Sequence, residues 1–498
     1  VNYFVSRIVK ILCEILKKKT KKTITESFVK GFLTVYIIAV VRNPTFDSQA
    51  KECMTLESKN WGTLELILPD SFKKKLQGSM IITEILNSLI VKESKTIEKL
   101  TKSINIPKLT DANKAGIEPA KCTLFITEGD SANGMATTGI AVVGHNYYGS
   151  FPIRGKILNV RDSSDFLKNE EIKNIIQILN LQMNKVYTKI NGEFVCDTGK
   201  LRYSTLAIMS DQDTDGSHIK GLLLNFISYF WPSLIENQFV KVFITPIIKV
   251  FNVNGKDLLF FNQVDYNNQK ESLKKYKVKY YKGLGTSNKQ ETIEYFENIN
   301  KFIIEFHKGS QKDLDSLDNV FRKSKSDIRK QWILNTIPQN VDYTKTQTIT
   351  EFIDNELLLF SLDNLNRSIP SITDGLKPSQ RKILYSAFKK GLRTSANEIK
   401  VSQFSGYISQ ITEYHHGEVS LEKAIVGMAQ SFVGSNNIPY FIEDGNFGSR
   451  NKGGEDSAAS RYIYTYLNPV IDKIFINTDN NILDYIIEIW RISKYKNQ

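Results

Sequence analysis

The sequence predicts a multidomain chain, α/β in its first half and α+β in its second. Residues 123–136 (TLFITEGDSANGMA) and 206–226 (LAIMSDQDTDGSHIKGLLLNF) each read as a short apolar strand, a tight acidic turn and a helix. Continuous apolar strands followed by helices imply a parallel sheet with helices on both faces. In the second half, residues 368–391 (SIPSITDGLKPSQRKILYSAFKKG) read as a loop and a short basic helix, and Tyr462, Tyr464 and Tyr466 alternate as on a strand.

The two acidic turns carry the chemistry. In the first, Leu124, Phe125 and Ile126 lead into Glu128 and Asp130; in the second, Leu206 to Met209 lead into Asp211, Asp213 and Asp215. Ligands of such sheets sit at the carboxyl ends of the strands. If the two strands are neighbours, Glu128 and the three aspartates meet in one crevice, and that many carboxylates cannot all stay ionised without a cation. Hard oxygen ligands point to Mg²⁺, which keeps some of its water and completes its shell with phosphate. DQDTDG also opens like an EF-hand calcium loop, but the twelfth position from Asp211, where that loop needs a bidentate Glu, is Leu222.

A third segment, YYKGLGTS at residues 280–287, adds a glycine-rich turn whose two glycines permit positive φ and close backbone approach. Lys282 there reads either as a phosphate contact or as a cap on the turn. Together EGDSA, DQDTDGSHIKGLL and YYKGLGTS resemble the TOPRIM domain in the form found in eukaryotic or viral type IIA DNA topoisomerases. The resemblance covers nearly the whole chain. It implies a TOPRIM parallel sheet plus a winged-helix DNA-binding domain, divided as 1–57 (end of a transducer domain), 58–121 (connecting segment), 122–245 (TOPRIM), 246–345 (TOPRIM-associated region and linker), 346–476 (winged helix with the catalytic tyrosine) and 477–498 (divergent or truncated tail).

The bulk numbers agree with several domains. The chain has 498 residues and a formal charge of +13, from 66 basic and 53 acidic side chains, which suits a polyanionic partner. Cys13, Cys53, Cys122 and Cys196 lack C-x-x-C spacing, so no disulfide framework or zinc site follows and a reducing compartment is expected. The longest apolar run, residues 32–41, is too short to span a bilayer, and no signal-peptide pattern is read in these residues. The chain starts at Val1 inside an amphipathic pattern, which suggests a fragment.

In chain order, Ile8, Ile11, Leu12, Ile15 and Leu16 recur at helical spacing and run into KKKTKK at 17–22. On charge alone such a run is a solvated loop; it also suits phosphate contact. The resemblance favours contact of Lys17, Lys18 and Lys19 with DNA. It also implies that Gln49 and Lys51 correspond to the family's Q-T-K motif, whose lysine reaches ATP bound in a preceding domain; here the middle residue is Ala50. Residues 61–121 read as a connecting segment, with 106–116 a turn-rich loop. In FPIRGKILNVRD, residues 151–162, an ordinary surface loop is the plain reading, whereas the resemblance makes Lys156 and Asn159 DNA contacts. Residues 313–337 read as a charged helical linker, solvated rather than catalytic.

In the second half, Pro378 suits a first helical position and Gly391 a stop; Ile383, Leu384, Ala387 and Phe388 form the buried stripe, leaving Arg381, Lys382, Lys389 and Lys390 outside. A short basic helix after a loop fits a winged-helix reader, though a solvated face gives the same pattern. His415 and His416 diverge as neighbours and do not suit a metal pair. The loop 445–454 offers backbone N–H groups with Arg450 and Lys452 and leads to Arg461-Tyr462. A phenol ionises near pH 10, so a nucleophilic tyrosine needs neighbouring cations. Spacing cannot separate that reading from one strand face carrying Tyr462, Tyr464 and Tyr466. The resemblance implies Tyr462 as nucleophile, Arg461 as transition-state stabiliser, and Arg381, His415 and His416 as helpers.

The implied activity is reversible double-strand DNA cleavage through a 5′-phosphotyrosyl link. Glu128, Asp211 and Asp213 would hold one Mg²⁺ and Asp215 would help hold a second, with the metals of one subunit serving the tyrosine of its partner in a homodimer. ATP would drive strand passage in the full-length enzyme, in the nucleus, or for a virus the host nucleus or a cytoplasmic factory. The tail LDYIIEIWRISKYKNQ departs from the family pattern, and without ATPase and exit gate the chain is not expected to relax DNA alone. Two rivals remain: another TOPRIM enzyme, a nuclease or primase, needing no covalent link, and an inactive truncated DNA-binding fragment.

Overall fold

The computed structural model describes residues 2–20, 24–36, 38, 43–46, 54–57, 68–86, 88, 106–476 (apart from 164, 342, 344, 345 and 415) and 478. They form two compact units, Val1–Leu358 and Leu359–Gln498. The sequence places the second domain from 346, but Ile349–Phe352 and the residues after it pack into the first unit: Thr350 N–H and hydroxyl both donate to buried Asp313, at 2.8 Å.

The first unit is built on a five-stranded sheet. Its spatial order is Ile303–Glu305, Val240–Phe243, Thr205–Met209, Thr123–Glu128, Tyr148–Ile153; the last four are parallel and the first is an antiparallel edge. Both acidic stretches fold as expected. Helix Gly129–Val143 follows Glu128 without a linker, and Asp213 caps helix Thr214–Phe230. Phe125, Ala207, Met209 and Phe243 pack one face of the sheet against Gly129–Val143 and Lys289–Glu297, while Leu124, Ile126, Leu206 and Ile208 are as deeply buried on the other. Full burial of both faces is why these strands read as unbroken apolar runs.

Two other regions depart from the sequence reading. Residues 70–86 are not connecting chain: Leu76, Ile82 and Ile85 share a core with Val9, Leu12, Leu16 and Val29, because helix Asn2–Thr20 needs an apolar partner for its stripe. Residues 313–337 are helical, as expected, over Gln311–Phe321 and Ser326–Asn335, but not merely solvated, since Asp313, Leu317 and Phe321 are buried. After Pro246 the chain forms a separate antiparallel sheet of Ile248–Val253, Lys256–Phe260 and Val278–Tyr280, covered by helix Gln263–Leu273.

The second unit is a winged-helix arrangement. Helices Pro378–Lys390, Val401–Thr412 and Glu418–Ala429 share one core with the antiparallel sheet Ile399–Lys400, Tyr464–Leu467, Phe441–Asp444. Pro378 takes the first helical turn and Gly391 the left-handed stop, φ 73°, as the sequence predicts. No helix among the described residues is long and apolar enough to cross a membrane.

Helix Gly129–Val143, which fixes Glu128, comes very close to its neighbour at Gly139. A methyl group there would lie 2.1 Å from the ring of buried Phe296. Gly139→Ala should therefore destabilise the protein by about 1–3 kcal/mol through overpacking. A lowered urea midpoint at unchanged slope checks this, and an unshifted midpoint contradicts it.

Candidate functional site

The acidic crevice is set by strand register. Thr127 pairs with Met209 in the parallel ladder, so Glu128 and Asp211 leave neighbouring strands at the same end. Asp211 N–H donates to Glu128 Oε2 at 3.3 Å, and Asp213 Oδ1 accepts from Gly216 N–H at 2.7 Å as the helix cap. Gly216 has no room for a side chain, since a methyl group would lie 2.1 Å from the Asp211 carbonyl oxygen. Burial, then Asp211 and Asp213, push the Glu128 carboxyl up to about 7. Burial also raises Asp211, against the lowering effect of the Leu284 N–H, which donates to its Oδ1 at 2.7 Å. Asp215 is paired with Lys156 at 2.5 Å.

Among the described residues no three acidic, His or Cys side chains are already gathered to ligate one ion. That does not exclude Mg²⁺, which takes one or two carboxylates and fills its remaining positions with water and substrate phosphate. The donor chemistry fits: Glu128 is held partly protonated by burial and by the charges of its neighbours, the condition a cation relieves. Glu128, Asp211 and Asp213 are thus candidate ligands, while Asp215 has a lysine ammonium beside it.

The turn at 280–287 differs in its geometry from the expectation. Neither glycine uses the left-handed region; Gly283 is extended, φ 168°. Its need is close approach, because a methyl group on it would lie 2.6 Å from Asp211 Oδ2. Lys282 is exposed. Asn159 turns inward: its amide N–H donates to the Phe321 carbonyl at 2.7 Å and its Oδ1 accepts from Asn225 at 3.0 Å. Lys17, Lys18 and Lys19 are exposed at the end of helix Asn2–Thr20, where the helix dipole favours cations; Lys19 also donates to the Gln77 carbonyl at 3.3 Å. Gln49 and Lys51 lie outside the described residues, as does His415.

In the second unit, Tyr462 parts company with its period-two neighbours. The strand begins at Tyr464, whereas Tyr462 sits in the preceding turn and is 66% exposed. The Arg461 guanidinium lies over the Tyr462 ring, 4.9 Å from its centroid. Arg381 makes a two-pronged pair with Asp374, 2.7 and 2.8 Å, which holds the Asp374 carboxyl below the usual range. His416 is exposed, with its ring 5.5 Å from that of Tyr414. Gln430 staples the glycine-rich loop by donating to the carbonyls of Phe447 and Gly454, at 2.9 and 3.1 Å, and Asp456 accepts from Ser449 N–H at 2.7 Å. Asp374 and Gln430 carry no local signal in the sequence, being ordinary polar residues whose partners only folding reveals.

Four family descriptions match consecutive stretches: DNA gyrase B over residues 1–103, the Toprim domain over 123–247, the C-terminal associated domain of TOPRIM over 243–365, and the A subunit of DNA gyrase/topoisomerase IV over 367–488. Over 98% of its length the chain is 45% identical to DNA topoisomerase 2 of Saccharomyces cerevisiae, 43% to that of Arabidopsis thaliana and 44% to the mitochondrial DNA topoisomerase 2 of Dictyostelium discoideum. The chain belongs to the type IIA DNA topoisomerases. It spans 34%, 33% and 39% of those three relatives, about a third of their length. Among solved structures, the DNA-binding, cleavage and re-ligation domain of Plasmodium falciparum topoisomerase II matches at TM-score 0.63 and 45% identity, covering 78% of this chain and 52% of that one. Gyrase-B-like and gyrase-A-like parts lie on one chain, as the resemblance implies for the eukaryotic or viral form.

The raised Glu128 carboxyl sets a pH dependence. Between its ordinary value of 4.5 and about 7 the folded state holds a proton that the unfolded chain releases, so metal-free stability falls as pH rises through that window. If Glu128 ligates Mg²⁺, binding displaces the same proton, and affinity should rise about tenfold per pH unit below 7 and level off above. Mg²⁺ titration calorimetry at pH 5.5, 6.5 and 8 measures this; affinity independent of pH contradicts it, as would Glu128→Gln keeping the full dependence.

Proposed function

We propose that this chain is the DNA cleavage and religation core of a type II topoisomerase, breaking both strands of a duplex reversibly through a 5′-phosphotyrosyl link. The observation that carries the reading is the conjunction, on one chain, of the carboxylate crevice at Glu128 and Asp211 with an exposed Tyr462 beside a guanidinium.

The Tyr462 phenol oxygen attacks a backbone phosphorus, the P–O bond to the 3′ oxygen breaks, and the phosphotyrosyl link forms with a free 3′-hydroxyl. One phosphodiester replaces another, so cutting and resealing need no ATP. Arg461, whose guanidinium lies over the Tyr462 ring, stabilises charge developing on the phosphate oxygens. Arg381 and the histidines at 415 and 416 assist the transfer, with Asp374 fixing the plane of the Arg381 guanidinium. Glu128, Asp211 and Asp213 would hold Mg²⁺, with Asp215 contributing to a second ion; when bound, the cation would supply Lewis-acid stabilisation of the leaving oxygen. Lys156, Lys282 and the lysines at 17–19 contact DNA phosphates, and Asn159 acts by holding the loop that presents Lys156.

The carboxylates of one subunit serve the tyrosine of the other, so a homodimer cuts opposite strands. Gln49 and Lys51 reach ATP in the full-length enzyme, which uses ATP for strand passage. The site of action is a compartment that holds duplex DNA, the nucleus or a viral replication site.

With Mg²⁺ and a nicked duplex that prevents resealing, the protein should remain attached to DNA 5′ ends after denaturation. Tyr462→Phe should reduce these adducts at least 10³-fold while DNA affinity stays within about twofold, as expected for removing a covalent nucleophile. Adducts that persist in Tyr462→Phe name another tyrosine. DNA breaks without any adduct favour a nuclease of the same fold, and DNA binding without breaks favours a binding-only fragment.

A further inference from the structure

The turn Gly283–Leu284 has a place in the site that its sequence does not announce. Its backbone lies against Asp211 on two sides: the Leu284 N–H donates to Oδ1 at 2.7 Å, and the open face of Gly283 receives the carboxylate, with 2.6 Å from the position of an added methyl carbon to Oδ2 and 2.8 Å to Cγ. The turn is rigid. The Leu284 side chain is buried in the core shared with Phe125, Met135 and Phe296, and Thr286 donates to the Gly283 carbonyl from its hydroxyl at 2.7 Å and from its N–H at 3.0 Å. Immediately afterwards Asn288 and Glu291 form a capping box that starts helix Lys289–Glu297.

From this geometry we infer that residues 283–284 are positioning residues for Asp211: a backbone cradle that fixes the orientation of its carboxylate for the cation. The inference rests on the reading of Asp211 as a metal ligand. A hydrogen bond from a backbone N–H to a carboxylate is strong and directional, and this N–H is held by a side chain locked in the core. The glycine is required because any β-carbon at 283 occupies the space of the carboxylate and turns it aside. Gly285, two residues on, is under no such constraint, since a methyl group there meets only Ser131 Cβ, at 3.9 Å. The two glycines of one motif therefore separate by role.

The test is Mg²⁺ affinity of the whole chain without DNA, by titration calorimetry. Gly283→Ala should bind Mg²⁺ at least tenfold more weakly, with excess Mg²⁺ restoring DNA cleavage, while Gly285→Ala stays within twofold of the parent. Metal-free unfolding temperatures of the two variants should agree within a few degrees. Parent-like affinity in Gly283→Ala overturns the cradle. Asp211→Ala separates the levels: if it too keeps parent affinity, Asp211 is no ligand and the site reading fails; if it loses affinity while Gly283→Ala does not, only the cradle fails. Should Gly283→Ala not fold, ¹⁵N-leucine labelling of the otherwise unchanged chain decides. The Leu284 amide resonance should shift on Mg²⁺ saturation and on Asp211→Asn, and a resonance indifferent to both overturns the inference.

Discussion

The repulsion among Glu128, Asp211 and Asp213 is the constraint to which the first unit answers. Parallel pairing of Thr123–Glu128 with Thr205–Met209 brings the strand ends level, and burial removes the water that would screen the charges. A sheet optimised only for stability would not place these side chains together. The surroundings manage the strain with fixed dipoles: the N-terminus of helix Thr214–Phe230 faces the cluster, the Gly216 N–H takes one oxygen of Asp213 and the Leu284 N–H one of Asp211. On Asp215 a lysine ammonium does what these N–H groups do elsewhere. The crevice is built for positive charge, and its protein partners meet that demand in part.

The second unit solves a different problem. A tyrosine proposed as the nucleophile for a polymer must stand clear of the fold yet keep its neighbours in register. Inward residues Ile463, Thr465 and Leu467 are buried and hold the strand, while Tyr462 stays in the turn before it. The glycine-rich loop is fixed by Gln430 and Asp456, so it presents Arg450 and Lys452 from a defined backbone, on the short 3-10 turn Arg450–Lys452. The alternation of three tyrosines is thus only in part a strand face: Tyr464 and Tyr466 belong to the ladder and Tyr462 does not.

What was legible in the sequence follows from how local each signal is. Buried parallel strands announce themselves by unbroken apolar runs, and Pro378 and Gly391 mark a helix by rules acting within a few residues. The carboxylates were legible because Glu128 ends one such strand and Asp211, Asp213 and Asp215 follow closely on the other. Relations across long separations left no trace. Asn159 meets Phe321 and Asn225, Asp313 meets Thr350, and residues 70–86 close the core of helix Asn2–Thr20, all through packing that spacing does not encode. Gly283 is the instructive case. Its motif suggests a left-handed turn, but the glycine is there for the space beside Asp211, a requirement imposed by a residue far away in the chain.

The helix that carries Asp215 also anchors the exit from the first unit. Lys220 on it is 1% exposed and donates to buried Glu356 at 2.6 Å, with Ser217 donating to the same oxygen at 3.3 Å. Glu356 lies in the π-helical turn Ile353–Leu357, just before the boundary at Leu358. Such turns are rare. A buried ion pair adds little net stability, yet removing one partner costs about 3–5 kcal/mol because the other charge is stranded. The pair therefore acts as a directional constraint more than as a source of cohesion. It ties the π-helical turn Ile353–Leu357 to helix Thr214–Phe230, the helix that Asp213 caps.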